Sequence, residues 1–405
     1  AFARGRCPPT LHLDRPNPAL LETRYRVPRA EEALEGPRRA AVSALGFGGN
    51  DAHVLLEAPD AYRAPARRPR PRPPTRLAVV GWAAQAGAAA ASAAFASALL
   101  EPPPDRPRGR MDAVELSMKG LRFPPRSLEK SLPQQKAILS CLQDALQRLP
   151  VELEGRTAGV YVGMGCDPEV ARWGARWRAD DADPRRDQLA PPLTADAVVG
   201  TMPNMPANRV SSWLDLKGPS FSVSSEETSG PTALALATRA LARGEIELAV
   251  VGATDFSVEP VHAQAKAALA ADAEPGDGAA VPVLTTPDHA RALDLPIWAE
   301  LELGDRAAEA PPVIAPRFGE AHAARALLEV VAQVELVASR RRSGGGVEPR
   351  PTPRAVVTKD LLGGRSAVTV HPGPSGSAPP GGQGRRLHVY EGRDRDALLE
   401  EAGRA

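Results

Sequence analysis

The side chains in this sequence weighed for nucleophilic, proton-transfer or metal-binding chemistry are three cysteines, seven histidines and Glu227. Cys7, Cys141 and Cys166 are too widely spaced for a CxxC metal pair or a disulfide framework. His12, His53, His262, His289, His322, His371 and His388 are scattered singly, and no metal-ligand cluster emerges. Glu227 stands at the head of an apolar helical stretch, three residues after Ser224. Ser-x-x-Glu is capping-box spacing, in which the serine bonds the third helical amide and the glutamate reaches back. The spacing favours this cap over a catalytic duty for Glu227. In GFGGNDAHVLLE (46–57), Gly46, Gly48 and Gly49 make a turn into an apolar strand, and His53 reads as a hydrogen-bonded structural residue.

Positioning such residues requires buried elements, and these are legible between Arg76 and about residue 335. Short apolar runs at Leu77–Ala83, Gly159–Gly165, Phe221–Val223, Leu248–Gly252, Ala279–Leu284 and Ile297–Leu303 predict strands. The Ala-rich stretch to Leu100, Pro206–Trp213 and Thr228–Ala242 predict helices between them. This alternation predicts an α/β layered fold with helices on a mixed, largely parallel sheet. The Pro/Arg tract at 61–75 predicts an extended linker, since proline fixes φ and removes amide donors. The stretches RRRSGGGVEPRPTPR and HPGPSGSAPPGGQGRR lack periodicity and predict flexible chain. Leu387–Gly403 suggests the opening of another domain.

Lys plus Arg total 50 against 49 acidic residues, so bulk charge predicts no attraction to nucleic acid or to an anionic membrane. The arginine runs at Arg67–Arg72 and Arg340–Arg342 lack interleaved aromatics and read as solvated linker rather than phosphate contacts. No apolar run approaches the ~18 residues of a membrane span, and the cysteine usage predicts a reducing, cytoplasmic setting. The start has neither an initiator Met nor a leader pattern, so the chain reads as a cut-out of something longer.

Three stretches, in order, resemble the β-ketoacyl synthase family, the thiolase-fold condensing enzymes of fatty-acid and polyketide assembly. SLPQQKAIL (131–139) is similar to the family's DPQQ helix. MPANRVSSWLDLKGPSFSVSSEETSGPTALALA (205–237) is similar to its nucleophile segment, and PGDGAAVPVLTTPDHARALDLPIWAEL (275–301) to the elements closing the first half. RFPPRSLEKSLPQQ (122–135), GMGCDPEVARWGARWR (163–178), GTMPNMPANR (200–209) and VSSEETSG (223–230) look like the chain-length-factor domain of polyunsaturated fatty acid synthases. PPTLHLDRPNP (8–18) and GFGGNDAHVLLE resemble the tail of a preceding ketosynthase, with Asn50 and Asp51 where the family has Thr-Asn.

The resemblance implies five segments: a ketosynthase tail (1–60), a linker (61–75), a chain-length-factor domain with a shortened second half (76–371), a Gly/Pro linker (372–386), and the start of a following acyltransferase domain (387–405). It implies a dimeric assembly with an active ketosynthase domain of the same polypeptide. It also implies a partner acyl carrier protein bearing phosphopantetheine, with no cofactor bound directly.

The family carries its acyl chain on a cysteine thiolate, and the resemblance places Glu227 at that position. Two histidines and a lysine complete the family's site. The HGTGT stretch that holds the first histidine is missing between Leu303 and Pro311, Glu320 stands where the second belongs, and Ala315 takes the lysine's place. His322 reads as an exposed helix residue. No catalytic position is intact, which implies a non-catalytic partner that shapes the acyl tunnel. The alternatives are a malonyl-carrier-protein decarboxylase, which an anionic Glu227 opposes because it would repel an enolate, and a degraded fragment without an independent fold.

Overall fold

The computed structural model describes residues 4–36, 39–45, 51–58, 76–165, 167–269, 273–304, 306–360 and 363–375. The chain divides into two compact units, residues 1–70 and 71–405.

The first unit contains two antiparallel pairs. Strand β1 (Arg6–Cys7) pairs with β2 (Glu32–Ala33), and β3 (Arg39–Leu45) with β4 (Asp51–Glu57). His53 on β4 lies opposite Ser43, with its Nδ1 2.8 Å from the serine Oγ. Gly46, Gly48 and Gly49 lie outside the described residues, as do Cys166, the linker at 61–75 and Leu387–Gly403.

The second unit is built on one eight-stranded sheet in the order β11-β12-β10-β5-β9-β8-β6-β7. The strands are β5 (Leu77–Ala86), β6 (Ala158–Met164), β7 (Ser220–Val223), β8 (Leu248–Phe256), β9 (Asp277–Thr285), β10 (Ala299–Leu303), β11 (Arg354–Lys359) and β12 (Arg365–Pro372). Helices α1 (Ser92–Leu100), α2 (Pro125–Glu129), α3 (Pro133–Leu146), α4 (Pro168–Arg178), α5 (Arg186–Leu189) and α6 (Ala195–Thr201) lie in its first part. They are followed by α7 (Met205–Trp213), α8 (Ser229–Ala242), α9 (Pro260–Leu269), α10 (Pro287–Ala292), α11 (Ala315–Phe318) and α12 (Arg325–Ala338).

The sheet is mixed, but the expected predominance of parallel pairing is corrected. Only β6–β7 and β6–β8 are parallel, and the other five junctions are antiparallel. A strand buried on both faces reads as a continuous apolar run whichever way its neighbour points, so the sequence pattern could not distinguish the two. Between the two stretches expected to be flexible lie β11 and β12, which were not expected as strands and which pair and extend the sheet beyond β10. Their alternation is interrupted by polar residues such as Thr358 and Thr369, which are buried all the same.

Both faces of the sheet are covered. One carries Leu99, Leu234, Leu327 and Leu328 from α1, α8 and α12; the other carries Ile138, Leu142 and Val210 from α3 and α7. On β5 the register shifts between Val79 and Gly81. Because a bulge adds one residue, Leu77 and Val79 before it and Trp82, Ala84 and Ala86 after it all reach the same core. Trp82 then donates from Nε1 to Glu335 on α12 at 2.9 Å, and the Arg148 guanidinium sits 4.6 Å from its ring centroid. Arg317 on α11 is buried and donates to the carbonyl oxygens of Ala98, Leu99, Glu101 and Val313, which ties α11 to the exposed carbonyl end of α1.

Glu329 on α12 is buried and accepts the backbone N–H groups of Val313 and Ile314, both at 3.1 Å. Burial raises its carboxyl above the ordinary 4.5, against the opposing pull of its hydrogen bonds. The folded chain thus holds a proton that the unfolded chain releases. The associated stabilisation is full below the unfolded value and is lost as pH rises through the folded one. The unfolding free energy of the wild type relative to Glu329→Gln is therefore expected to fall with rising pH from about 4 upward and then level off, as read by denaturant titrations across that range. Leu328→Ala, which empties a site at the centre of the first core, is expected to cost about 2–5 kcal/mol in the same measurement.

Candidate functional site

At the carboxyl ends of the parallel strands β6, β7 and β8 the chain leaves the sheet, and polar groups collect there, as ligand sites do in α/β sheets. The approach of α8 is set by Gly163 on β6. A Cβ there would fall 2.5 Å from the backbone carbon of Ser229, so only glycine lets the helix start rest on the strand. Between β7 and α8 lies a 3-10 turn, Glu226–Thr228. Its first residue, Glu226, has φ +48°, a left-handed conformation that a non-glycine residue adopts only when its surroundings impose it.

The capping box expected from Ser224 and Glu227 does not form. Ser224 is exposed, and neither Ser225 before the turn nor Thr228 before α8 makes a side-chain cap bond. The reason is the turn itself, which delays the helix to Ser229 and so breaks the spacing a box needs. Its polar bonds come instead from Ser229 Oγ, which donates to Glu226 O at 2.7 Å and accepts from Ser225 N at 2.9 Å, and from Thr228 Oγ1 to Ser225 O at 2.7 Å. Glu227 is buried and turned inward.

His322 is the group it faces, and its expected exposure is corrected. It is 8% exposed and opens a 3-10 turn, His322–Ala324, rather than lying on a helix surface. Its Nε2 lies 2.9 Å from Glu226 Oε2 and its Nδ1 3.8 Å from Glu227 Oε1. The turn is fixed by Asp255 at the end of β8, a 3% exposed carboxylate. Asp255 accepts Ser257 Oγ–H at 2.6 Å and Ala323 N–H at 3.3 Å, while Ser257 Oγ in turn accepts His322 N–H at 3.1 Å. His262 on α9 completes the group, with Nδ1 3.5 Å from Asp255 Oδ1 and its ring edge-on to His322 at 5.6 Å.

Glu320 and Ala315 stand apart from this contact. Glu320 pairs with Lys266 at 3.3 Å and Arg325 at 3.0 Å, while its backbone joins Glu274 and Gly276. Ala315 opens α11. Cys141 is fully buried on α3, where burial pushes its thiol well above the ordinary range, and Cys7 belongs to the first unit. His371, read as solitary, lies 3.1 Å from Glu302 across β10–β12. Among the described residues no cluster of three or more His, Cys, Asp or Glu side chains could hold a metal. No helix of the described residues is long and apolar enough to cross a membrane.

A cavity of about 610 Å³ opens nearby between the start of α3, α4 and the β8–α9 connection. Arg110, Lys130, Asp167, Trp173 and Phe256 line it, together with Arg172, which pairs with Glu169 and Glu259. Burial raises the carboxyl groups of both Asp167 and Asp277, which also line it.

Residues 105–279 match the β-ketoacyl synthase N-terminal domain family. The chain carries a ketosynthase-like domain. It is 27% identical over 304 residues to a polyunsaturated fatty acid synthase polypeptide of a Thraustochytrium strain, an alignment covering 63% of this chain and 15% of that protein. Against erythronolide synthase EryA3 of Saccharopolyspora erythraea it is 31% identical over 180 residues, covering 42% of this chain and 5% of that one. The chain thus spans a small part of these relatives. A solved PfaC keto synthase-chain length factor structure superposes with a TM-score of 0.69 at 18% identity, over 93% of this chain and 51% of the other. An oxazolomycin ketosynthase domain of Streptomyces albus gives 0.54 at 18% identity, over 78% and 100%. The fold of the ketosynthase-like domain is accordingly the thiolase-like one.

Asp255, Ser257, His262 and Glu226 were not singled out by sequence reasoning. One signal was available: Asp255, near the end of the apolar run of β8, is followed two residues later by the hydroxyl of Ser257. Asp255→Ala is expected to strip acceptors from two buried donors in this ketosynthase-like domain. A loss of about 1–3 kcal/mol in denaturant unfolding is the expected size.

Proposed function

We propose that this domain is of the chain-length-factor type, does not perform condensation itself, and pairs with an active β-ketoacyl synthase domain of the same polypeptide during acyl-chain elongation. The observation that carries this reading is Glu227. A carboxylate occupies the turn at the head of α8 where the family's thiolate would stand, and without sulfur no thioester forms there. The substitutions at Glu320 and Ala315 support it, because the former is committed to Lys266 and Arg325 and the latter carries no charge. Decarboxylation of a malonyl thioester is disfavoured by the same geometry, since two carboxylates, Glu226 and Glu227, would face the enolate.

The partner surface we assign is the β7 edge with α8. Among the described residues β7 is the last strand of the sheet and pairs only with β6, so its outer row of backbone groups is available to another strand. The hydroxyls of Ser220 and Ser222 on it are buried without a hydrogen-bond partner among the described residues. Helix α4, which buries none of its residues, adds exposed Val170 and Trp177, the latter 84% exposed. Phosphopantetheine would then arrive on an acyl carrier protein partner, in the cytoplasm, with residues 387–405 opening an acyltransferase domain.

Co-elution of the chain with the upstream ketosynthase domain at micromolar concentration is the expected result. Trp177→Asp, which puts a charge in place of an exposed ring on the assigned surface, is expected to weaken it at least tenfold without lowering the melting temperature. Labelled acyl groups recovered from this chain as thioesters would overturn the non-condensing assignment.

A further inference from the structure

Another cavity, of about 470 Å³, opens where α1 ends, and its volume is in the range that takes small molecules. Ala88, Ala94, Ser97 and Ala98 on its lining are small enough to leave the space open, and its charged lining residues are Arg108, Arg317 and Glu101. Arg317 is only 4% exposed. Its four hydrogen bonds go to the carbonyl oxygens of Ala98, Leu99, Glu101 and Val313, and since a guanidinium has five N–H donors, one on Nη1 is left over. Carbonyl dipoles at a helix end favour a cation without cancelling its charge, and a buried charge is costly until an opposite one meets it. The carboxyl that acts on Arg317, Glu329, does not fill that role. It is itself buried, accepts the amides of Val313 and Ile314, and is pushed by burial toward its protonated form.

The second arginine is fixed beside the first by the backbone. Arg108 N donates to Arg317 O at 2.7 Å and Arg108 O accepts from Ala88 N at 3.0 Å, while its side chain is exposed. Gly87, at φ +49°, permits this approach, because a Cβ there would fall 1.9 Å from Arg108 O. The loop after α12 bonds to the same helix end, Gly344 N donating to Leu99 O at 3.0 Å, and it brings Arg340, Arg341 and Arg342. Among the described residues none of these five arginines forms an ion pair. The exposed Glu101 is the opposing charge on the lining, so cations outnumber it.

We propose that this cavity binds a small organic oxyanion, its carboxylate or phosphate group held by Arg108 and Arg317 and its body lying against Phe318 and the alanines. The planar guanidinium fork matches both kinds of oxyanion, and a bound anion would supply the counter-charge that Arg317 lacks in the fold. The site is independent of any pairing with a ketosynthase.

The test is calorimetric titration of the 405-residue chain at low ionic strength with two probes, inorganic phosphate and succinate. Saturable binding of one probe molecule per chain is the expected result. Binding of phosphate alone identifies a phosphorylated ligand, binding of succinate alone a carboxylic acid, and binding of both the shared chemistry. Arg108→Ala, at an exposed side chain without an ion pair, is expected to weaken binding at least tenfold with an unaltered melting temperature. Ala94→Trp, which fills the cavity from an exposed position on α1, is expected to abolish it, while Lys119→Ala, an exposed cation outside the lining, leaves it unchanged. No saturable binding of either probe, or equal affinity in wild type and Arg108→Ala, would overturn the proposal.

Discussion

A carboxylate can be taken out of water only if donors meet it, and Asp255 is the point at which this constraint organises the site. Its two oxygens are met by Ser257, by the Ala323 amide and, further off, by His262. Each of these comes from a different stretch of chain, so satisfying one buried charge draws the end of β8, helix α9 and the 322–324 turn together. Gly165 also depends on it, since a Cβ there would stand 2.8 Å from Asp255 Oδ2. His322 takes its position from that arrangement and not from its own helix, because it has none.

The sheet supplies the second half of the geometry. Parallel pairing is confined to β6 with its two neighbours, and that is the place where a turn must lead from a strand end into a helix crossing the face. Gly163 allows α8 to rest directly on β6, which leaves no room to relax the preceding turn. The strain then appears at Glu226. Its carboxylate bond to His322 and the hydroxyls of Thr228 and Ser229 offset part of that cost.

Replacing a thiol by a carboxylate at a helix start is electrostatically comfortable, because the partial positive charge there favours an anion. The same exchange changes what the site can hold. A thiolate forms a bond to an acyl carbon, whereas Glu227 can only accept a hydrogen bond or a proton. On the proposed reading, Glu227 leaves the head of α8 without an attachment point for an acyl chain.

The sequence by itself determined the central strands and helices, because residues such as Leu77–Ala83 and Thr228–Ala242 carry apolar runs or a helical period that few other structures can bury. It also placed Glu227 at the head of α8 through the similarity of a long continuous segment. It did not determine strand direction, since burial on both faces erases the alternation that would reveal it. It did not show β11 and β12, whose polar residues are buried only because other strands and helices cover them. The capping box failed and His322 moved inward for one physical reason. Local spacing assumes a helix that starts where its pattern starts, while here the close approach at Gly163 and the buried charge of Asp255, both set by residues distant in sequence, fixed where each turn could begin.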